Sequence, residues 1–383
     1  MPTTALYNLS PALNLMMMGL IIAVGPLTWA WLRGRKTPAI KRLRVLTLII
    51  LFLTFDLVMF GAFTRLTDSG LGCPDWPGCY GHSSPVGAQV FIDAAQIAQP
   101  NGPVTHPKAW IEMIHRYLAT SVGVMILTLT VCSWLERKRP QISPRLPIMI
   151  LLWVCLQGAF GALTVTMKLF PLIVTMHLLG GMILLALLKV QAVRYAQSQG
   201  ENLPVTLHTA TWILALTTFV LLWVQIALGG WVSTNYAVLA CTGFPSCQNS
   251  LWPVMDFSQG FTLWRELGAD GKGNNISFAS LTAIHYVHRL SAYVVFAFLL
   301  VLAVKLYRVP ALRTQAKWLA ALIVLQVATG LGNVLLGWPL LAAVLHTGGA
   351  GALVIVLTGI VFSSRNALSL AVTSKLNASR LPA

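Results

Sequence analysis

Glu112-Met113-Ile114-His115-Arg116 returns as His285-Tyr286-Val287-His288-Arg289, 173 residues further along, each time inside a long apolar stretch. A second histidine does the same: Met176-His177-Leu178-Leu179-Gly180-Gly181 is echoed by Leu345-His346-Thr347-Gly348-Gly349 at an offset of 169. The repeat extends outward from these points. Cys73-Pro-Asp-Trp-Pro77-Gly-Cys79 aligns with Cys241-Thr-Gly-Phe-Pro245-Ser-Cys247, and Gly61-Ala-Phe with Gly229-Gly-Trp, both at 168. Gln157, Ala159 and Gly161 match Gln326, Ala328 and Gly330 at 169, so the register changes only inside loops, where insertions are tolerated.

Composition sets the surroundings of this doubled unit. Of 383 residues 56% are hydrophobic and 9% charged, and the mean hydropathy is +0.74. A soluble core cannot hide so much apolar surface, which makes the chain an all-α polytopic membrane protein. Apolar stretches long enough to span fall at 12–32, 45–64, 113–135, 147–167, 170–188, 209–232, 281–304, 318–338 and 341–363. The first has no partner in the repeat; the remaining eight divide into two tandem four-helix bundles. An even number of helices gives both copies the same orientation, so a pseudo-twofold axis along the membrane normal is expected. The domains read as 1–44, an extra N-terminal transmembrane helix with a basic loop, then 45–200 and 201–383, one bundle each, the last with a tail.

The formal charge of +16 invites a nucleic-acid reading, but its distribution argues against one. Nineteen of the 26 Lys and Arg lie in 33–44, 136–145, 189–194, 305–317 and the tail from Arg365, all on one side when the spans are threaded alternately. The positive-inside rule makes that side the cytoplasm. The N-terminus and the loops 65–111 and 233–280 are then periplasmic and the C-terminus cytoplasmic. No Lys or Arg precedes the first span, which disfavours a secretory leader, and no Arg- and Ser-rich leader suggests a mitochondrial transit peptide. A bacterial inner membrane is the expected location.

Ionisable side chains are costly in a bilayer, and those that persist face a bundle interior and serve a site. All four repeated histidines are expected within the first two turns of helices entering from outside, with His115 and His288 beginning theirs. Two facing pairs, His115 with His177 and His288 with His346, suit two haem irons, because imidazole is a natural axial ligand inside a helical bundle. A packing histidine bonded to a carbonyl explains one such residue but poorly explains four at duplicated positions. Zinc is disfavoured, since no further ligand is duplicated nearby and the thiols sit in loops.

The charge-bearing difference between the copies is Glu112 against His285. Glu112 precedes His115 by one turn and shares its face. It suits proton exchange or charge stabilisation, or equally an ion pair with Arg116 or a place at a helix start. Arg116 and Arg289 suit haem propionates or simple snorkelling. Cys73 with Cys79 and Cys241 with Cys247 are expected to form disulfides in an oxidising compartment, as loop staples or as an electron relay.

In these residues the chain resembles the heme A synthase family: the stretch 61–79, Glu112 to Arg116, the His177 and His346 helices, and His288-Arg289 carry the likeness across roughly 45–363. The resemblance implies oxidation of a heme O ring methyl to a formyl group, giving heme A for cytochrome oxidase. It implies a resident heme b on His288 and His346, heme O on His115 and His177, and Glu112 required for turnover. Heme O synthase and cytochrome oxidase assembly factors are the implied partners, with the electron donor left open. The span at 12–32 departs from the eight-helix family core. A diheme cytochrome b electron carrier, or a haem transporter or chaperone, would also use four histidines but would not need the contrast between Glu112 and His285.

Overall fold

The computed structural model describes residues 10–201 and 204–366. The expected tail beyond Asn366 and the first nine residues lie outside the described residues. In chain order the helices are α1 (Ser10–Gly34), α2 (Ala39–Leu66), α3 (Gln89–Ala98), α4 (His106–Leu135), α5 (Arg145–Thr166), α6 (Pro171–Gln197), α7 (Thr209–Thr234), α8 (Phe257–Gly260), α9 (Phe278–Tyr307), α10 (Arg313–Leu335) and α11 (Leu340–Phe362). Among the described residues nine helices are long and apolar enough to cross a membrane, one for each stretch read from hydropathy. Two short strands, β1 (Val205–Leu207) and β2 (Ser364–Asn366), pair in parallel.

Several helices run past the apolar stretches that announce them. Thr105 accepts a hydrogen bond from the Lys108 amide, with Pro107 in the first turn, and so starts α4 well before the apolar run. Ser277 does the same for α9 through the Ser280 amide at 3.2 Å. Ser and Thr side chains at such positions satisfy amides that the helix itself leaves without acceptors. His115 and His288 therefore stand more than two turns inside their helices rather than at their starts. Within the spans, hydroxyls fold back on their own helix, as Thr47 onto the Leu43 carbonyl at 2.8 Å and Ser133 onto Leu129 at 2.7 Å. That satisfies these two donors within their own helices.

The chain divides into two compact units, the described parts of Met1–Leu184 with Thr262–Asn275, and of Leu185–Phe261 with Ile276–Ala383. In unit 1, α2, α5 and α1 pack on α4, and Trp153 of α5 donates to the Gly180 carbonyl of α6 at 2.9 Å. The first span lies close along α4: a methyl group on Gly19 would stand 2.5 Å from Thr120 Cγ2. Segment 262–275 belongs to this unit, with Trp264 tilted against Phe170 at 4.8 Å between ring centroids. In unit 2, α7 packs on α9, α9 on α10, α10 on α11, and α11 back on α7.

Candidate functional site: two imidazole pairs beneath clamped loops

Each of the four histidines rests on a glycine of a neighbouring helix. In unit 1 a methyl on Gly61 of α2 would stand 3.0 Å from His115 Cε1, and one on Gly161 of α5 would stand 3.6 Å from His177 Cε1. In unit 2 the corresponding distances are 3.0 Å from Gly229 of α7 to His288 and 3.3 Å from Gly330 of α10 to His346. The glycines match in the repeat, and they are what lets the rings lie against the next helix. His115 and His177 are close enough to interact electrostatically, as are His288 and His346. Each sequence pair lies within one unit.

The shells around the pairs differ. In unit 1 the Nδ1 atoms of both His115 and His177 are buried without a hydrogen-bond partner, as are both amide atoms of Gln157. In unit 2 the Gln225 amide lies 3.1 Å from His288 Nδ1 and 3.5 Å from its Nε2, Thr329 Oγ1 lies 2.9 Å from His346 Nδ1, and Gln326 donates to the His346 main-chain oxygen at 2.9 Å. Gln225 and Thr329 escape sequence reasoning. The only signal is a lone polar residue one turn before Gly229, and a hydroxyl next to Gly330.

Both cysteine pairs form disulfides, Cys73–Cys79 and Cys241–Cys247, with Cα atoms 4.9 and 4.8 Å apart. The loops they close are copied in detail. Each contains a cis proline, Pro77 or Pro245, and a bridge closes each behind its second cysteine, Cys79 with His82 and Cys247 with Ser250.

The helices hold these loops through the residues singled out by the repeat. Arg116 donates to the main-chain oxygens of Asp75 at 3.0 Å, Pro77 at 3.2 Å and Gly78. Arg289 donates to that of Gly243 at 2.7 Å, the position equivalent to Asp75. Glu112 is buried, pairs with Arg116, and accepts the Cys73 amide at 2.8 Å. Of the readings open for Glu112, the ion pair is present, and a direct hold on the disulfide loop is added to it. In the other copy His285 is hydrogen-bonded to the Ala237 backbone, with its Nδ1 buried and unpartnered. Asp56 is exposed on α2, and Arg65 pairs with Asp68 at 3.5 Å.

Among the described residues no group of three or more His, Cys, Asp or Glu stands together as a metal site. Two imidazoles are too few for tetrahedral zinc, but they would suffice to hold the iron of a porphyrin. Buried rings backed by glycine, with ligand-capable nitrogens, fit that group. The family described as cytochrome oxidase assembly protein (COX15-CtaA) matches residues 44–358. The chain belongs to the heme A synthase family. Heme A synthase of Shewanella oneidensis is 37% identical over 313 residues, covering 82% of this chain and 93% of the relative. That of Symbiobacterium thermophilum is 30% identical over 80% of this chain and 90% of its own length. That of Mesorhizobium japonicum is 29% identical over 78% and 84%. Within the heme A synthase family match lie all four histidines, Glu112 and both cysteine pairs; α1 precedes it.

Proposed function

We propose that this protein converts heme O to heme A, with the substrate held in unit 1 by His115 and His177. A resident heme b is held in unit 2 by His288 and His346. The observation that carries this reading is the asymmetry of two otherwise copied sites. Unit 1 has the buried carboxylate of Glu112 against the Cys73 amide; unit 2 has His285 in its place. Arg289 supports the assignment of the resident site, because its Nη1 is buried without a partner and suits a haem carboxylate. Arg116 is already committed to Glu112 and three carbonyls, and holds the loop over the substrate half.

Taking a ring methyl to an aldehyde brings in one oxygen atom from outside the haem and removes electrons and protons, which must pass to an external oxidant. A haem held by two imidazoles would supply electron transfer rather than direct oxygen binding; this holds for both units, and the lack of a carboxylate at His285 is what suits unit 2 as the electron store. Glu112 is placed to accept or return a proton at its Oε atoms, one turn of α4 before His115. The cytoplasmic side is taken as the one bearing 19 of the 26 basic residues, which puts both disulfide loops in the periplasm. Heme O synthase and cytochrome oxidase assembly factors are the natural donors and recipients for such a step.

The test is pigment extraction from cells that supply heme O. Wild-type protein yields a formyl-bearing haem by mass and absorption, whereas an electron carrier or a haem chaperone yields none. Glu112→Gln is expected to lower heme A output on the order of a hundredfold while haem on unit 2 is retained. Undiminished output from that variant would refute the role of Glu112.

A further inference from the structure

The duplication copied the histidines and their glycines but not the side chains that touch the imidazole nitrogens. Four residues before the glycine facing the first histidine, unit 2 has Gln225 where unit 1 has Leu57. Immediately before the glycine facing the second, unit 2 has Thr329 where unit 1 has Phe160. Neither leucine nor phenylalanine offers a hydrogen-bonding atom, and the buried Nδ1 atoms of His115 and His177 have no partner.

Thr329 fixes both the tautomer and the direction of its ring. Its hydroxyl donates to the Leu325 carbonyl at 2.7 Å, so toward His346 Nδ1, at 2.9 Å, it acts as an acceptor. A proton held on Nδ1 leaves the lone pair on Nε2, the atom that must face iron. Gln225 restrains the other ring. Its amide nitrogen lies 3.1 Å from His288 Nδ1, 3.5 Å from Nε2 and 3.2 Å from the main-chain oxygen of the same residue, while its Oε1 is buried without a partner; with iron on Nε2 the amide must turn so that Oε1 accepts the Nδ1–H. Gln326 adds a bond to the His346 carbonyl, whereas its counterpart Gln157 is unpartnered. Buried polar atoms without partners are costly. Unit 1 carries that cost at His115 Nδ1, His177 Nδ1 and Gln157, whereas around the unit 2 pair it falls on Oε1 of Gln225.

We infer that Gln225 and Thr329 are positioning residues that lock His288 and His346 onto a permanent haem, and that Leu57 and Phe160 leave His115 and His177 free to swing and let their haem go. A producing site must release what it makes; a storing site must not. This inference rests on the reading of unit 2 as the resident haem site.

The experiment uses purified full-length protein loaded with haem and measures haem transfer to excess apomyoglobin, with the midpoint potential as a second readout. Losing a partner of a metal-bound histidine weakens metal affinity about 10–100-fold. Thr329→Val and Gln225→Leu are therefore expected to speed loss of the unit 2 haem at least roughly tenfold. Thr329→Val also raises the potential, because a hydrogen-bonded Nδ1–H makes the imidazole a stronger donor to ferric iron. Thr329→Ser restores both, which a merely structural role would not predict. Leu57→Gln is expected to slow release from unit 1. Should Thr329→Val fail to accumulate, Thr329→Ser and Gln225→Leu still decide the matter. His346→Ala separates the two claims. If it empties unit 2 while Gln225→Leu and Thr329→Val exchange haem at the wild-type rate, the positioning role is wrong. If it keeps the haem, the assignment of the resident site is wrong.

Discussion

Arg116 shows how much of a site rests on one side chain. Its guanidinium joins the Glu112 carboxylate to three carbonyls of the Cys73–Cys79 loop, and both charged groups are buried. Removing one partner of a buried ion pair leaves the other uncompensated, at a cost of about 3–5 kcal/mol. Arg116→Ala is therefore expected to lower the melting temperature and to make the Cys73–Cys79 disulfide readily reducible, read by maleimide mass tagging after mild thiol treatment. Arg116→Lys keeps the charge but loses the planar fork, so it falls between the two. A disulfide as resistant in Arg116→Ala as in the wild type would show that the clamp does not hold the loop. The sequence shows Arg116 beside His115, and an ion pair with Glu112 follows from helix spacing. The loop contacts were not legible, because the acceptors are main-chain oxygens 38 to 41 residues away and leave no mark in residue type.

Elements explain which small residues carry the site. Glycines cluster in both halves, and helix packing alone accounts for any one of them in a membrane bundle. The structure sorts them. Gly61, Gly161, Gly229 and Gly330 face imidazoles, Gly180 and Gly349 face the amides of Gln157 and Gln326, and Gly158 faces open space. Their positions were legible through the repeat, but their facing was not, since it depends on how far each helix extends beyond its apolar run. The Thr105 and Ser277 caps place His115 and His288 deeper than hydropathy alone suggests. Valine at Gly61 or Gly229 must push the ring aside, because even a single methyl stands 3.0 Å from the imidazole Cε1. Overpacking of this kind costs about 1–3 kcal/mol. Both Gly229→Val and Gly61→Val are expected to lower the melting temperature, the first altering the absorption of any haem that unit 2 binds and the second of any that unit 1 binds. Gly158→Ala is expected to change neither, and an equal effect from all three would mean that these glycines serve packing alone.

Across the whole molecule, the disposition of charge decides which chemistry is available to the loops. Nine apolar runs and their alternating basic flanks were legible from composition, because bilayer thickness and the positive-inside rule both act on simple counts. The membership of segment 262–275 in unit 1 was not, since nothing in its own sequence names its neighbours. The threading predicts opposite sides for two exposed lysines, Lys138 between α4 and α5 and Lys272 between α8 and α9. With Cys132 and Cys155 replaced by serine, Lys272→Cys is expected to react with a membrane-impermeant maleimide in intact spheroplasts, and Lys138→Cys only after the membrane is opened. The reverse pattern would overturn more than topology. It would place the Cys73–Cys79 and Cys241–Cys247 loops in a reducing cytoplasm, where such bonds do not persist. Glu112 and Arg116 would then be clamping an open dithiol loop, and the redox state of that loop would have to be maintained from the cytoplasmic side.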